Sequence, residues 1–244
     1  MIPDWLHSLA AASLALAFLC AAVTSLLLVV HPQKMRIMDL VWPVTALYWG
    51  PVGVWGLWEM GAPPASRRKR ELQQREKQRR RVVSEVAGED KEQEGPVKPF
   101  WQQVAVAVTH CGAGCTLGDI IGEWLVFAFG WTVFGEKLYA ELLVDFPLAF
   151  GLGIIFQYFT IAPMRGLGVR EGLIAAVKAD TISIVAFEIG LFGWMALDAF
   201  VLFPGESIAS WNHWFQMQIG MVVGFFTSYP ANWFLLERGL KEPM

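Results

Sequence analysis

Ser8–Val30, SLAAASLALAFLCAAVTSLLLVV, is a run of 23 residues without a charge. At about 1.5 Å of rise per residue, a helix of that length covers the roughly 30 Å hydrocarbon layer of a bilayer. A cleaved signal peptide would carry basic residues ahead of its apolar core, whereas the segment before this run holds Asp4 and neither Lys nor Arg. The stretch therefore reads as a transmembrane helix and sets the class as an all-α, polytopic bundle. The composition agrees: 55% of the 244 residues are hydrophobic and only 17% charged, too little charge to clothe a soluble domain of this size.

Five further apolar stretches follow. Met38 to Met60 is interrupted by Pro43 and Pro51, which suits a kinked spanning helix or a re-entrant segment. The others run from about Phe100 to Trp131, Leu142 to Pro163, Gly172 to Phe203 and Trp211 to Leu236. Six spans are expected, in three parts: an N-terminal helix pair over 1–60, a charged loop over 61–99 and a four-helix membrane domain over 100–241. Within the loop, 67–86 suits a surface helix and Gly88 to Pro99 a flexible linker.

Charge orders these parts across the membrane. The loop contains RRKRELQQREKQRRR, a block that could serve nucleic-acid binding but is better explained as the cytoplasmic anchor of a membrane protein. With six crossings, and with both termini and the 61–99 loop in the cytoplasm, 16 Lys and Arg fall inside and only Lys34, Arg36 and Lys137 outside. The short loop with Lys34 and Arg36 is the weak point of that arrangement. The partners expected are the lipid bilayer and no nucleic acid, with a homo-oligomer or a membrane protein as the further options.

An internal repeat is also visible. Thr116 and Glu123 lie seven residues apart, as do Thr181 and Glu188, at an offset of 65. Gly153 and FTIAP (159–163) correspond to Gly220 and FTSYP (226–230) at an offset of 67. Residues 100–163 and 172–236 thus read as two copies of one helical hairpin, parallel to one another and related by an axis along the membrane normal.

Polar groups inside the apolar runs are the candidate site. Cys111, Cys115, Asp119 and Glu123 recur every four residues, on one helix face, with Thr116 at its edge and His110 beside it. The fifth run contributes Asp180, Thr181, Ser183 and Glu188, and the fourth Gln157. Carboxylates facing lipid would cost several kcal/mol, so Glu123 and Glu188 should face the bundle interior. Three uses remain open. The set could simply hold the bundle together by hydrogen bonds. His110, Cys111 and Cys115, with Asp119 or Asp180, could bind a soft metal such as copper(I) or zinc, although C-x3-C is no zinc-knuckle or ferredoxin signature. Glu123, Glu188 and Gln157 could line a path for protons, small ions or a small solute. Catalysis has less support. His110 and Cys111 are adjacent and point about 100° apart on a helix, and no glycine-rich phosphate loop or HExxH motif follows a suitable element. A redox dithiol formed by Cys111 and Cys115, and haem held by His110 and His213, are the enzyme-like alternatives. Asp145, Asp198 and Glu206 are expected near the outer boundary, within reach of water.

HCGAGCTLGD (110–119), FQYFTIAPMRGLG (156–168), FEIGLFGWMAL (187–197) and QIGMVVGFFTSYPANWFLL (218–236) resemble a family of bacterial integral membrane proteins that carry a domain of unknown function. Some of its members are labelled copper oxidases. The resemblance covers about residues 98 to 241 and implies a multi-pass protein of the bacterial inner membrane. It supplies no reaction, and the chain has no His-rich copper oxidase motif. The sequence thus favours a transport or binding protein over an enzyme, with a structural or assembly role as the alternative.

Overall fold

The computed structural model describes residues 3–33, 35–61 and 99–242. The surface helix and linker expected over 67–86 and 88–99 fall outside the described residues, apart from Pro99. Apart from an isolated bridge between Val133 and Glu136, the secondary structure of the described residues is helical: α1 (Asp4–Val30), α2 (Met38–Trp49), α3 (Pro51–Met60), α4 (Phe100–Phe129), α5 (Lys137–Arg165), α6 (Val169–Leu197) and α7 (Trp211–Glu237). A π-helical turn, Asp198–Leu202, extends α6. Among the described residues, five helices are long and apolar enough to cross a membrane: α1, α4, α5, α6 with its extension, and α7.

Helices α4 to α7 form an antiparallel bundle. Phe100 meets Trp233 at 4.8 Å between ring centroids, and at the other end Trp124 stacks on Trp214 at 6.0 Å, so α4 and α7 run in opposite directions. Tyr139 and Phe200 join α5 to the α6 extension at that same end. Arg165, Arg170, Arg238 and Lys241 gather at the Phe100 end, here termed the basic end; the end with Phe129, Lys137 and Trp211 is the far end. The outward faces are apolar, with Phe159, Ile189 and Phe226 more than half exposed, as lipid-facing positions require.

Glycine spacing sets the α4–α5 contact. A Cβ on Gly114 would stand 2.6 Å from the Gly153 Cα; one on Gly118 would overlap the backbone of Ala149, and one on Gly122 the carboxyl of Asp145. Three glycines at four-residue intervals therefore let the two backbones touch, the small-residue packing that drives helix association in lipid. The expected repeat would carry these positions to Ala179, Ser183 and Phe187 in α6. There the packing differs: Gly224 of α7 accommodates the ring of Phe187, and Ser183 meets Ser228 and Asn232. At these three positions the second hairpin packs differently, and its close approach falls instead at Gly190, where an added Cβ would stand 3.0 Å from the Gly224 Cα.

The second apolar run folds back on itself. Gly50, at φ 53°, turns the chain between α2 and α3, a backbone conformation that glycine accepts without penalty. Gly53 then packs on Ala46, and Gly56 on the ring of Trp42, so the two helices lie side by side. With 12 and 10 residues, each arm spans only about 15–18 Å. Its open end joins Leu28, Met38, Met60, Ala105 and Val106 near the basic end. Its tip reaches the bundle middle, where Trp49 meets Phe225 at 5.3 Å and the Leu47 carbonyl accepts from Gln218 Nε2 at 2.6 Å. The run thus forms two short helices packed side by side, where one kinked helix was expected. Helix α1 buries the stripe Leu6, Ala10, Leu14, Ala17, Cys20, Thr24 and Leu28 against this assembly. Ser13, toward its start, donates to Gln218 Oε1 at 2.9 Å, while Leu28, toward its end, lies at the basic end. Helix α1 therefore runs parallel to α7.

A bulky side chain in the glycine row should break the α4–α5 contact. Gly118→Leu is expected to cost about 1–3 kcal/mol or more, read as a lower melting temperature of the detergent-purified protein. Gly151→Ala, where an added Cβ meets nothing within 4 Å, should leave it unchanged.

Candidate intramembrane polar site

The four-residue ladder of α4 is wholly interior. His110, Cys111, Cys115 and Asp119 are fully buried, and Glu123 is 2% exposed. Each of Cys115, Asp119 and Glu123 directly follows a glycine of the α4–α5 contact, so seating the glycines against α5 turns the polar row about 100° away, into the bundle. From α6, Glu188 enters the same interior beside Cys115. The expected inward orientation of both glutamates is present.

Acidic groups concentrate in the middle and toward the far end. Asp119 lies within electrostatic reach of Glu188, Asp145 and Glu123. Glu123 Oε2 stands 3.5 Å from His213 Nε2, and Glu141 is paired with Lys137 at 2.6 Å. Glu123, Glu141 and Asp145 share the wall of a small cavity with Leu138, Leu191, Met195 and Met217; its room is that of about one water molecule. Both oxygens of Asp119, both of Glu188, Oε2 of Glu123 and Oδ1 of Asp145 are buried without a hydrogen-bond donor from the described residues.

Toward the basic end the groups change character. His110 Nε2 and the Thr160 hydroxyl are 2.9 Å apart, while His110 Nδ1 has no hydrogen-bond partner among the described residues. Gln157, 1% exposed, keeps its Oε1 without a donor. Asp180 is paired with Lys241 at 2.5 Å, and both side chains are completely buried. From Glu141 to Asp180 these residues form one polar column running through most of the bundle's length.

Of the residues expected at the site, Thr181 lies outside it. It is partly exposed and its hydroxyl donates to the Val177 carbonyl at 2.6 Å. Thr116 is buried but satisfied by the Gly112 carbonyl at 2.7 Å, with the Met221 sulfur at 3.3 Å. The trio His110, Cys111 and Cys115 does not converge: the imidazole faces Thr160 and the ring of Phe156 on α5, whereas the thiols face Glu188 and Tyr48. Among the described residues, no three His, Cys, Asp or Glu side chains are placed to hold a metal ion. His213 and His110 stand at different depths, as expected.

Several members are additions to the expected set. Glu141 and Asp145 sit four apart on α5, a spacing that could have revealed a second acidic ladder facing the first. Asp145 and Asp198, expected at a wet boundary, are each only 3% exposed. Glu206 instead serves the start of α7, accepting from Ser210 Oγ and Asn212 Nδ2, while Ser210 caps the helix by accepting from the His213 amide at 3.0 Å. Lys241 gave no local signal, because it lies beyond the last apolar run.

Residues 100–241, from the first residue of α4 to Lys241, match the family described as Domain of unknown function (DUF4396). The chain belongs to this family. The matched segment contains the whole polar column and excludes α1, α2 and α3. No curated protein matches the chain, and no solved structure does. The protein is accordingly a polytopic membrane protein whose family domain encloses the site.

Removing the partner of the buried imidazole should be costly. Thr160→Val is expected to lower stability by about 1–3 kcal/mol, the price of an unpaired buried polar group. Thr181→Val should change it by less than about 0.5 kcal/mol; melting temperatures of the two purified variants make the comparison.

Proposed function

We propose that the protein passes protons, or a small monovalent cation in their place, across a bacterial plasma membrane along the buried column. The observation that carries this reading is the surplus of acceptors over donors: five carboxyl oxygens of Asp119, Asp145 and Glu188 are buried without a hydrogen-bond donor from the described residues, and Glu123 Oε2 has the His213 imidazole at 3.5 Å. In a low-dielectric interior such a group is stable only when a proton or another cation neutralises it. A set that merely joined helices would spend its acceptors on donors of neighbouring helices. The tight packing, with room for about one water beside Glu123, Glu141 and Asp145, suits protons better than a bulky solute. Copper or zinc, the cofactors open to the sequence, fit less well, since the imidazole of His110 and the thiols of Cys111 and Cys115 face different neighbours.

Proteoliposomes holding a pH-sensitive dye test the proposal under an imposed potential. Wild-type protein is expected to admit protons, and Glu188→Gln and Glu123→Gln to reduce the flux by about tenfold or more. A wild-type rate no faster than empty vesicles, or undiminished rates in both folded variants, overturns it.

The same reading includes an orientation. With five crossings and a re-entrant hairpin, the two ends of the chain lie on opposite sides. Placing the basic end in the cytoplasm brings Lys34 and Arg36 inside as well, which removes the weak point of the six-span arrangement and leaves Lys137 the one basic residue outside. An impermeant thiol reagent applied to intact cells should then label His7→Cys, while Arg170→Cys should react only after lysis. The native Cys20, Cys111 and Cys115 are buried. Protection of His7→Cys in intact cells contradicts this orientation.

A further inference from the structure

Beyond α7 the chain reverses. The amides of Leu240 and Lys241 both donate to the Leu235 carbonyl, at 2.9 and 3.2 Å, with Gly239 at φ 65° providing the turn. This sends the Lys241 side chain back into the bundle, where the whole residue is 1% exposed. Its Nζ donates to Asp180 Oδ1 at 2.5 Å and to Asn232 Oδ1 at 2.8 Å, with Ser183 Oγ at 3.4 Å.

Two of the three oxygens around the ammonium, those of Asn232 and Ser183, are held by their own network as well as by the lysine. Asn232 Nδ2 donates to the Ser228 carbonyl at 3.0 Å and to Ser228 Oγ at 2.9 Å, which turns Oδ1 toward the site. Ser228 Oγ donates to the Ser183 carbonyl at 2.9 Å, and Ser183 Oγ to Asn232 Oδ1 at 2.8 Å. One carboxylate, one amide oxygen and one hydroxyl make a site for a single positive charge. The second oxygen of Asp180 is buried without a hydrogen-bond donor from the described residues. Besides these bonds, the tail's own backbone turn and an outer ion pair, Arg165 to Glu242 at 2.7 Å, position Lys241. Lys241 and Asp180 are also within electrostatic reach of Cys111, and Lys241 of His110, so the site adjoins the column.

We infer that Asp180, Ser183 and Asn232 form a monovalent-cation site at the basic end of the column, and that Lys241 fills it as a tethered ammonium on a tail stapled by Glu242 to Arg165. This rests on the proposed function only in giving the site a place on a cation path. A cation arriving here must displace the lysine, which makes the tail a plug. An ammonium shares the charge and coordination demands of a small hydrated or partly dehydrated cation, and a buried charge pair tolerates replacement of one member only by an equivalent charge.

The test is chemical rescue in the full-length protein. Lys241→Ala empties the position while leaving Asp180 charged. Ammonium, sodium or potassium chloride should then raise the melting temperature of the variant above that in choline chloride, whose cation is too large to enter. At ten times its dissociation constant such a cation shifts the folding equilibrium about eleven-fold. Neither the wild type nor Lys241→Ala combined with Asp180→Asn should show the difference. Equal melting temperatures in all four salts overturn the site. Should Lys241→Ala not fold, Glu242→Gln keeps the site and loosens only the staple. In inverted membrane vesicles, Ser183→Cys should then react with an impermeant thiol reagent about two- to five-fold faster than with Glu242 intact, the factor that an exposed ion pair is worth. An unchanged rate overturns the plug. Neither readout needs flux, so their failure leaves the Glu188-dependent path standing, and absence of flux leaves the cation site standing.

Discussion

The close approach of α4 to α5 is the constraint on which the site depends. Backbones can touch only where Cβ atoms are missing, and Gly114, Gly118 and Gly122 supply that surface along three successive turns. Once this face is committed to α5, the rotation of α4 is fixed, and the row one residue further on must point into the space between α5, α6 and α7. That row is Cys115, Asp119 and Glu123. The same contact presses Asp145 of α5 against Gly122, so an acid from the second helix enters the layer occupied by the acids of the first. Packing and chemistry are therefore one feature: whatever displaces the glycines also re-aims the carboxylates.

Much of this was legible in the sequence, for identifiable reasons. The four-residue recurrence of Cys111, Cys115, Asp119 and Glu123 is a pure helix-face signal, and the cost of a charge facing lipid decides which way that face turns. Glu188 follows by the same logic. The glycine row at 114, 118 and 122 stood equally open to reading, yet its partner could not be known, because Ala149 and Gly153 declare themselves only when the helices are side by side. Asp145 illustrates the failure: its position near a helix end suggested water, whereas the contact with Gly122 puts it inside. Lys241 was hidden for a different reason. Its burial depends on a backbone reversal after α7, and nothing in a short polar tail distinguishes a lysine that folds inward from one that anchors a helix to a membrane surface.

The second apolar run shows how composition alone leaves local structure open. Its 23 residues, with Asp39 and Glu59 the two charged ones, are long enough to cross, and the two prolines within them suggest a kink. Gly50 immediately before Pro51 is the deciding pair. The glycine reaches a backbone conformation that ends α2, and the proline is well placed to begin α3, since its missing amide would have no helical partner there. Small residues then complete the reversal, because Ala46, Gly53 and Gly56 allow two short helices to lie in contact. At the tip of this helical hairpin the Trp49 ring packs on Phe225 and Phe226, and the Leu47 carbonyl is taken by Gln218.

Charge along the column completes the physical picture. Each end is closed by a lysine and a carboxylate, Lys137 with Glu141 and Lys241 with Asp180. Between these pairs lie Asp119, Glu123, Asp145 and Glu188, with His213 beside Glu123. A fixed cation in the middle would have satisfied the acids permanently and turned them into structural cement. Its place is taken by an imidazole, a group that gains and loses a proton near neutral pH when unperturbed. On the proposed reading, compensation for the central acids comes from charges that can enter and leave, and the tethered lysines at the two ends set where such charges meet resistance. A bundle built for cohesion alone would gain by exchanging these acids for leucines of similar volume; keeping four of them in the interior makes sense when their compensation is mobile.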